Sequence, residues 1–190
     1  MNRIKIKEKA HMQGKYIIVK TDAEARYELL SQTRMLPRCL VKFLDLLPTK
    51  AELEILLGGK IYQSPVIHNK IVSGTGGYGR NLVMRAFAND STYPLPITLG
   101  AIGTGTNTPA DSDTGLQTAV LSSISYTDRT VTNDSIELSF FITDATLANG
   151  TYTEWGIFCA TRLFSRSLIS PTYAKAAGQD TTIIHVVTLS

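Results

Sequence analysis

Over the last hundred positions, hydrophobic and polar residues alternate with a period of two. The clearest case is 135–143, SIELSFFIT, where Ile136, Leu138, Phe140 and Ile142 alternate with Glu137, Ser139 and Thr143. That is the period of a strand with one buried face. The series continues with ITLGAIG at 97–103, AVLSSISYTD at 119–128, TYTEWGIFCA at 151–160 after an Asn149-Gly150 turn, SRSLISPTYAK at 165–175 and TTIIHVVTLS at 181–190. Residues 61–72 predict a further strand interrupted near Pro65, and 80–88 a short helix. Strands at this spacing, with turn residues between them, predict a mainly β protein, an antiparallel sandwich or barrel spanning 60–190.

The first third has another pattern. RIKIKEK (3–9) and KYIIVK (15–20) alternate on either side of AHMQG, where Gly14 is available for a turn, and predict an N-terminal β-hairpin over 1–20. Lys5 and Lys7 are candidate binding positions there, against the simpler reading of a solvated strand face or a charged edge. Thr21-Asp22 with Glu24 forms a capping-box pattern. Good helix formers follow over 22–34, then RCLVKFLDLL (38–47) and KAELEILL (50–57), broken at Pro37 and Pro48 and stopped by Gly58-Gly59. These predict a small helical insertion over 21–59. Leu40, Phe43, Leu44 and Leu47 make one of its helices too apolar for a lone solvated element. They require a partner surface, either the body of the domain or another chain.

Charge follows the same division. Residues 1–60 hold 12 Lys/Arg and 7 Asp/Glu, a net of +5, with 4 Ser/Thr; residues 61–190 hold 7 and 9, a net of −2. The whole chain of 190 residues is only +3, too little for a nucleic-acid partner, which calls for many clustered cations. With 43% hydrophobic and 18% charged residues the chain has enough apolar surface to fold. No apolar run approaches the 18 residues of a membrane span, and the N-terminus lacks a signal-peptide core, so a soluble protein without a membrane partner is expected. Cys39 and Cys159 stand one in each half, outside any metal-ligand spacing, and are expected to be free thiols.

Candidate chemistry is sparse. Gly74-Thr75-Gly76-Gly77-Tyr78-Gly79 fits GxGxxG between an expected strand and a helix, the context of a dinucleotide fingerprint. No β-α-β alternation follows it, and a turn capping the 80–88 helix is the stronger reading. Asp111-Ser112-Asp113-Thr114-Gly115 begins like a calcium loop, but Ser122 stands where the bidentate Glu belongs. An Asx-turn, with Asp113 capping the following segment, is expected instead. His11, His68 and His185 lie on separate segments, and there is no GxSxG or paired-carboxylate pattern. No catalytic residue, cofactor or metal is therefore assigned, and a non-enzyme is expected. Tyr78, Tyr93, Tyr126 and Tyr152 are scattered in sequence, which argues against a glycan-binding platform without removing that alternative.

Four spaced blocks resemble one known family. They are His68-Asn69-Lys70-Ile71-Val72 with Gly74 and Arg80-Asn81-Leu82; Ala101-Ile102-Gly103-Thr104-Gly105-Thr106 with Pro109, Asp113-Thr114 and Leu116; Asn149-Gly150-Thr151 with Glu154-Trp155-Gly156-Ile157-Phe158; and Ser165-Arg166 with Lys175. In this order they are similar to the signatures of a family of small structural proteins of tailed bacteriophages, over about 61–190. Lys70 departs from the family's usual Leu, and 21–58 has no counterpart. The resemblance implies a non-enzymatic virion component, assembled in the bacterial cytoplasm, a homo-oligomer whose partners are other virion proteins. A tail, baseplate or fibre-attachment position is expected first, with capsid decoration the alternative. His68, Asn69, Gly103, Gly105, Asp113, Glu154, Gly156 and Arg166 become candidate structural-motif residues. Glu154, beside Gly156 and with Trp155 and Ile157 close by in sequence, is a candidate inward carboxylate that bonds loop amides or pairs with Arg166, against the simpler reading of an exposed Glu.

Overall fold

The computed structural model describes residues 12–22 and 61–189. Among the described residues there are ten strands: β1 (Met12–Asp22), β2 (Ile61–Gln63), β3 (Ile67–Ile71), β4 (Leu99–Gly103), β5 (Ala119–Ser125), β6 (Asp128–Val131), β7 (Ser135–Ile142), β8 (Gly150–Cys159), β9 (Arg162–Lys175) and β10 (Gln179–Leu189). One helix, α1 (Arg80–Phe87), lies between β3 and β4. Each expected strand beyond residue 60 is found, and the break at Pro65 separates β2 from β3.

All pairings are antiparallel and join the strands into one sheet of order β5-β4-β8-β9-β3-β1-β10-β7-β6, with β2 also on β1. β5 and β6 end this path yet are separated in sequence only by Tyr126 and Thr127. Two residues cannot bridge more than roughly 11 Å, so the sheet must curl until its two ends meet there. The result is a half-barrel made from one sheet, where a β-sandwich body over 60–190 was the first expectation; the continuous pairing path leaves no second sheet among the described residues to stack on it. Its helix belongs to the body. The expected insertion over 21–59, with Leu40, Phe43, Leu44 and Leu47, lies outside the described residues except at Thr21 and Asp22, as do Lys5, Lys7 and Cys39; Thr21 and Asp22 do not cap a helix but end strand β1, where pairing with β10 holds them extended.

β1 is the central element. Along its whole length it pairs with β10, from Met12↔Leu189 to Asp22↔Gln179. Its other edge pairs with β3 at 14–16 and with β2 at 19–21. The gap between is closed by Ser64, whose hydroxyl accepts from Ile18 N at 2.9 Å and whose own N–H donates to Ile18 O at 2.8 Å. Both edges of β1 are thus occupied by later strands; the expected first hairpin arm, 3–9, lies outside the described residues. Gly14, read from sequence as a turn residue, sits inside β1 opposite Asn69, where a Cβ would come within 1.8 Å of the Asn69 amide.

The core fills the concave face. Trp155, Phe140, Tyr16, Ile18, Ile102, Leu138, Ile142, Ile157 and Ile183 are essentially inaccessible. Trp155 meets Phe140 edge-to-face at 5.2 Å, and Tyr16 stacks on His185 at 5.7 Å. The two free edges are blunted against further pairing. β5 carries register shifts and Ser123 at φ 61°, and on β6 the Arg129 N–H is taken by the Asp128 carboxylate at 2.8 Å.

Candidate functional site: a carboxylate-clamped loop and the cavity beside it

Between β4 and β5 runs the long loop 104–118, which has no regular structure. Its shape is set by one side chain. Glu154 projects from β8, which pairs with β4 through Gly103↔Glu154, and is fully buried. Its Oε1 accepts from Gly105 N at 2.9 Å and Thr118 N at 2.7 Å, so one oxygen holds both ends of the loop. Oε2 accepts from Gln117 N at 3.0 Å and from Arg166 Nε at 2.9 Å. Glu154 therefore does both things expected of it, bonding loop amides and pairing with Arg166. This approach requires Gly105, because a Cβ there would stand 2.4 Å from Oε1.

Arg166, on β9, extends the clamp. Its Nη1 donates to Asp113 Oδ2 at 2.9 Å and its Nη2 to Asn107 O at 3.1 Å. Asp113 Oδ2 also accepts from Ala110 N at 2.9 Å. Asp113 thus caps the turn before it, and not the segment after it as the sequence suggested. Gln117 completes the loop, its Oε1 accepting from Thr106 N and Asn107 N, each at 2.8 Å. Burial works to raise the Glu154 pKa, but the three amides and the guanidinium outweigh it, and the carboxyl titrates below its ordinary value. Gly103, Gly105, Asp113, Glu154 and Arg166, dispersed over 63 positions, are one cluster, and Gly156 packs beside it against Leu116 and Ser165.

His68 and Asn69 belong elsewhere, on β3. The Asn69 amide lies 2.8 Å from His185 Nε2 and 2.6 Å from Ser165 Oγ. Trp155 Nε1–H donates to His185 Nδ1 at 3.1 Å, so the neutral ring carries its proton on Nε2. That proton needs an acceptor, which assigns the oxygen of Asn69 to the His185 side. Burial pushes the His185 pKa down to about 3, keeping the ring neutral at ordinary pH. Ser167 Oγ donates to Tyr16 OH at 2.8 Å beside it. Neither His185 nor this polar group in the core was singled out as functional from sequence. In TTIIHVVTLS the residues on both sides of His185 are apolar, so no alternation signalled that its ring points inward.

The glycine-rich segment is bound up in its own fold. Gly77 N donates to Asn81 Oδ1, Gly79 N to Leu163 O and Arg80 N to Val72 O, at 3.1, 3.1 and 2.8 Å. These are the amides a pyrophosphate would use. The Arg162 guanidinium lies 5.1 Å from the Tyr78 ring centre and 4.7 Å from that of Tyr93. Arg85 covers Tyr93 at 4.9 Å. Tyr78 and Tyr93, distant in sequence, thus converge, but on arginines of the same chain. Tyr126 packs on Phe140, and Tyr152 is buried with its hydroxyl donating to Ala148 O at 2.6 Å.

At the far side of the sheet the buried Lys175 ammonium is 2.5 Å from Asp144 Oδ1, 3.3 Å from Asn149 Oδ1, and within hydrogen-bond distance of the Asp144 and Ala176 carbonyls. It ties the β7–β8 connection to the β9–β10 turn. Cys159 is buried and free, its thiol donating to Leu95 O at 3.2 Å and its pKa pushed up to about 12 by burial.

A cavity of about 450 Å³ opens beside the clamped loop, lined by Met12, Gln13 and Gly14 of β1, His68 to Ile71 of β3, Arg80 of α1 and Asp111 of the loop. Among the described residues no group of His, Cys, Asp or Glu could hold a metal, and no helix is long and apolar enough to cross a membrane. No protein-family model, no curated protein and no solved structure matches the chain.

Proposed function

We propose that this protein is a non-enzymatic structural subunit of a tailed-bacteriophage virion, placed in the tail, baseplate or fibre-attachment region, that works by holding neighbouring proteins. The observation that carries this reading is the clamp. The glycines, Asp113, Glu154 and Arg166 that resemble the phage signatures form one network around the buried Glu154–Arg166 pair, with its hydrogen bonds made within the chain. Such a network orders a long polar loop on a rigid scaffold, which suits a presented binding surface.

The segment 23–59, helical by its sequence, and the lysines at 5 and 7 are the further contact elements of this reading. Leu40, Phe43, Leu44 and Leu47 would face another virion protein or a second copy of the chain.

The test is quantitative proteomics on purified particles of the phage that encodes the chain. A copy number matching one or a few symmetric rings supports the tail or neck position. A number on the order of the capsid's own subunit count moves the assignment to decoration, and absence from the particle overturns the virion reading. Stabilisation by NAD or ATP in a thermal-shift titration, about 2.7 kcal/mol at a hundredfold excess over Kd, would overturn the non-enzymatic reading.

A further inference from the structure

We propose that the cavity beside the clamped loop docks a carboxylate-rich segment of a partner protein, with Lys70 and Arg80 as its anchoring cations. This rests on the assembly reading above and adds the chemistry of the partner. Three elements build the site: β3 supplies Lys70, the first residue of α1 supplies Arg80, and the 104–118 loop supplies Asp111. Asp111 Oδ1 stands 3.2 Å from Arg80 Nη2 and 3.5 Å from Lys70 Nζ. A carboxylate already sits between the two cations, so the spacing of Lys70 and Arg80 suits that group.

The cations are only partly satisfied by it. A guanidinium and an ammonium together carry eight N–H donors, and both side chains remain about half exposed, at 52% and 45%. With one acidic residue against two basic ones, the cavity keeps a net positive charge. A multivalent acidic segment matches this field. A carboxylate is favoured over a phosphate backbone because the group already seated between Lys70 and Arg80 is itself a carboxylate.

The loop that carries Asp111 is fixed from both ends by Glu154 and tied to the segment just after β3 by Ser73 N donating to Asp111 O at 3.0 Å. The internal carboxylate is therefore held in place and competes with any incoming one. Removing its charge should strengthen binding, whereas reversing the cations should abolish it.

The experiment titrates the full chain with a fluorescent hexaglutamate peptide, reading anisotropy at low salt and then at high salt. Expected are salt-sensitive binding by the unaltered chain, binding several-fold tighter in Asp111→Asn, and binding roughly tenfold or more weaker in the Lys70→Glu/Arg80→Glu variant, given the usual worth of two exposed ion pairs. Absence of peptide binding overturns the proposal. So does equal binding by the charge-reversed variant, which would put the peptide on the N-terminal lysines. Tighter binding of a single-stranded oligonucleotide than of the peptide also overturns it. If the double variant fails to fold by circular dichroism, Asp111→Asn decides, and unchanged or weaker binding there refutes the idea. None of these outcomes alters the particle copy number, so the two readings fail separately.

Discussion

Replacing Glu154 by Gln tests whether one carboxylate organises the loop. The substitution keeps the shape of the side chain but exchanges one acceptor oxygen for a donor. In the native structure both oxygens are accepting, Oε1 from Gly105 and Thr118, Oε2 from Gln117 and Arg166. Whichever way the amide of Gln turns, its NH₂ faces two N–H donors. Two hydrogen bonds are lost, and Arg166, whose side chain is 3% exposed, retains only Asp113 as an acidic partner. Breaking a buried pair by neutralising one member costs about 3–5 kcal/mol, a large part of the 5–15 kcal/mol typical of whole domains. Urea denaturation at pH 7 should show that loss, and amide exchange in 104–118 should quicken well beyond that in β1 and β10. Adding Arg166→Met removes the orphaned cation, so the double variant should recover at least about 1 kcal/mol relative to additivity. A cost below about 1 kcal/mol, or exchange that quickens evenly over the sheet, would refute the clamp.

Three other outcomes follow from the geometry. The unfolded His185 binds a proton below about pH 6.5, and the native one only near 3, so stability is full above 6.5 and is lost as pH falls. The loss is about 1.4 kcal/mol per pH unit; His185→Gln should flatten the difference in urea midpoint between pH 7 and 4.5, and an unchanged difference would refute this. Gly105→Ala should cost about 1–3 kcal/mol because its Cβ meets Glu154 and Gln117, while Gly150→Ala, with nothing within 4 Å, should stay within about 0.5 kcal/mol in the same melts. Because Thr21 pairs with Ile61, replacing residues 23–59 by Asn-Gly makes a two-residue hairpin in the same register. The body should keep its β circular dichroism and cooperative melting, and loss of cooperativity would show that the removed segment is part of the core.

The sequence displayed the strands because their chemistry is local. Ile136, Leu138, Phe140 and Ile142 announce an inward face without reference to any neighbour, and Pro65 and Asn149-Gly150 mark the breaks on their own. Strand partners are another matter. Nothing in KYIIVK says that its edges belong to β10, β2 and β3, residues up to 171 positions away, and so a local hairpin was the natural expectation. Curling of the sheet was hidden for the same reason: it follows from β5 and β6 being neighbours in sequence and opposite ends in pairing order. The pairing of Glu154 with Arg166 was legible, since an acid beside a buried Trp needs a partner and the shared signatures supplied one. The direction of the Asp113 cap was not, because Arg166 competes for the same oxygen from 53 positions away.

One consequence joins the clamp to the cavity. Glu154 is held ionised by its amides and by Arg166, with its titration displaced downward. The clamp is therefore complete above the ordinary carboxylate range and fails as the pH falls through the lowered value. Asp111 depends on it, because its place between Lys70 and Arg80 is set by the loop that Glu154 closes. If the clamp opens, the internal competitor leaves the cations while Lys70 and Arg80, carried by β3 and α1, stay where they are. Glu154→Gln should then act on peptide binding in the same direction as Asp111→Asn, by loosening Asp111 instead of neutralising it. Anisotropy titration of the folded Glu154→Gln variant at pH 7 distinguishes the cases. Tighter hexaglutamate binding is expected, and weaker binding would mean that the ordered loop itself holds the peptide.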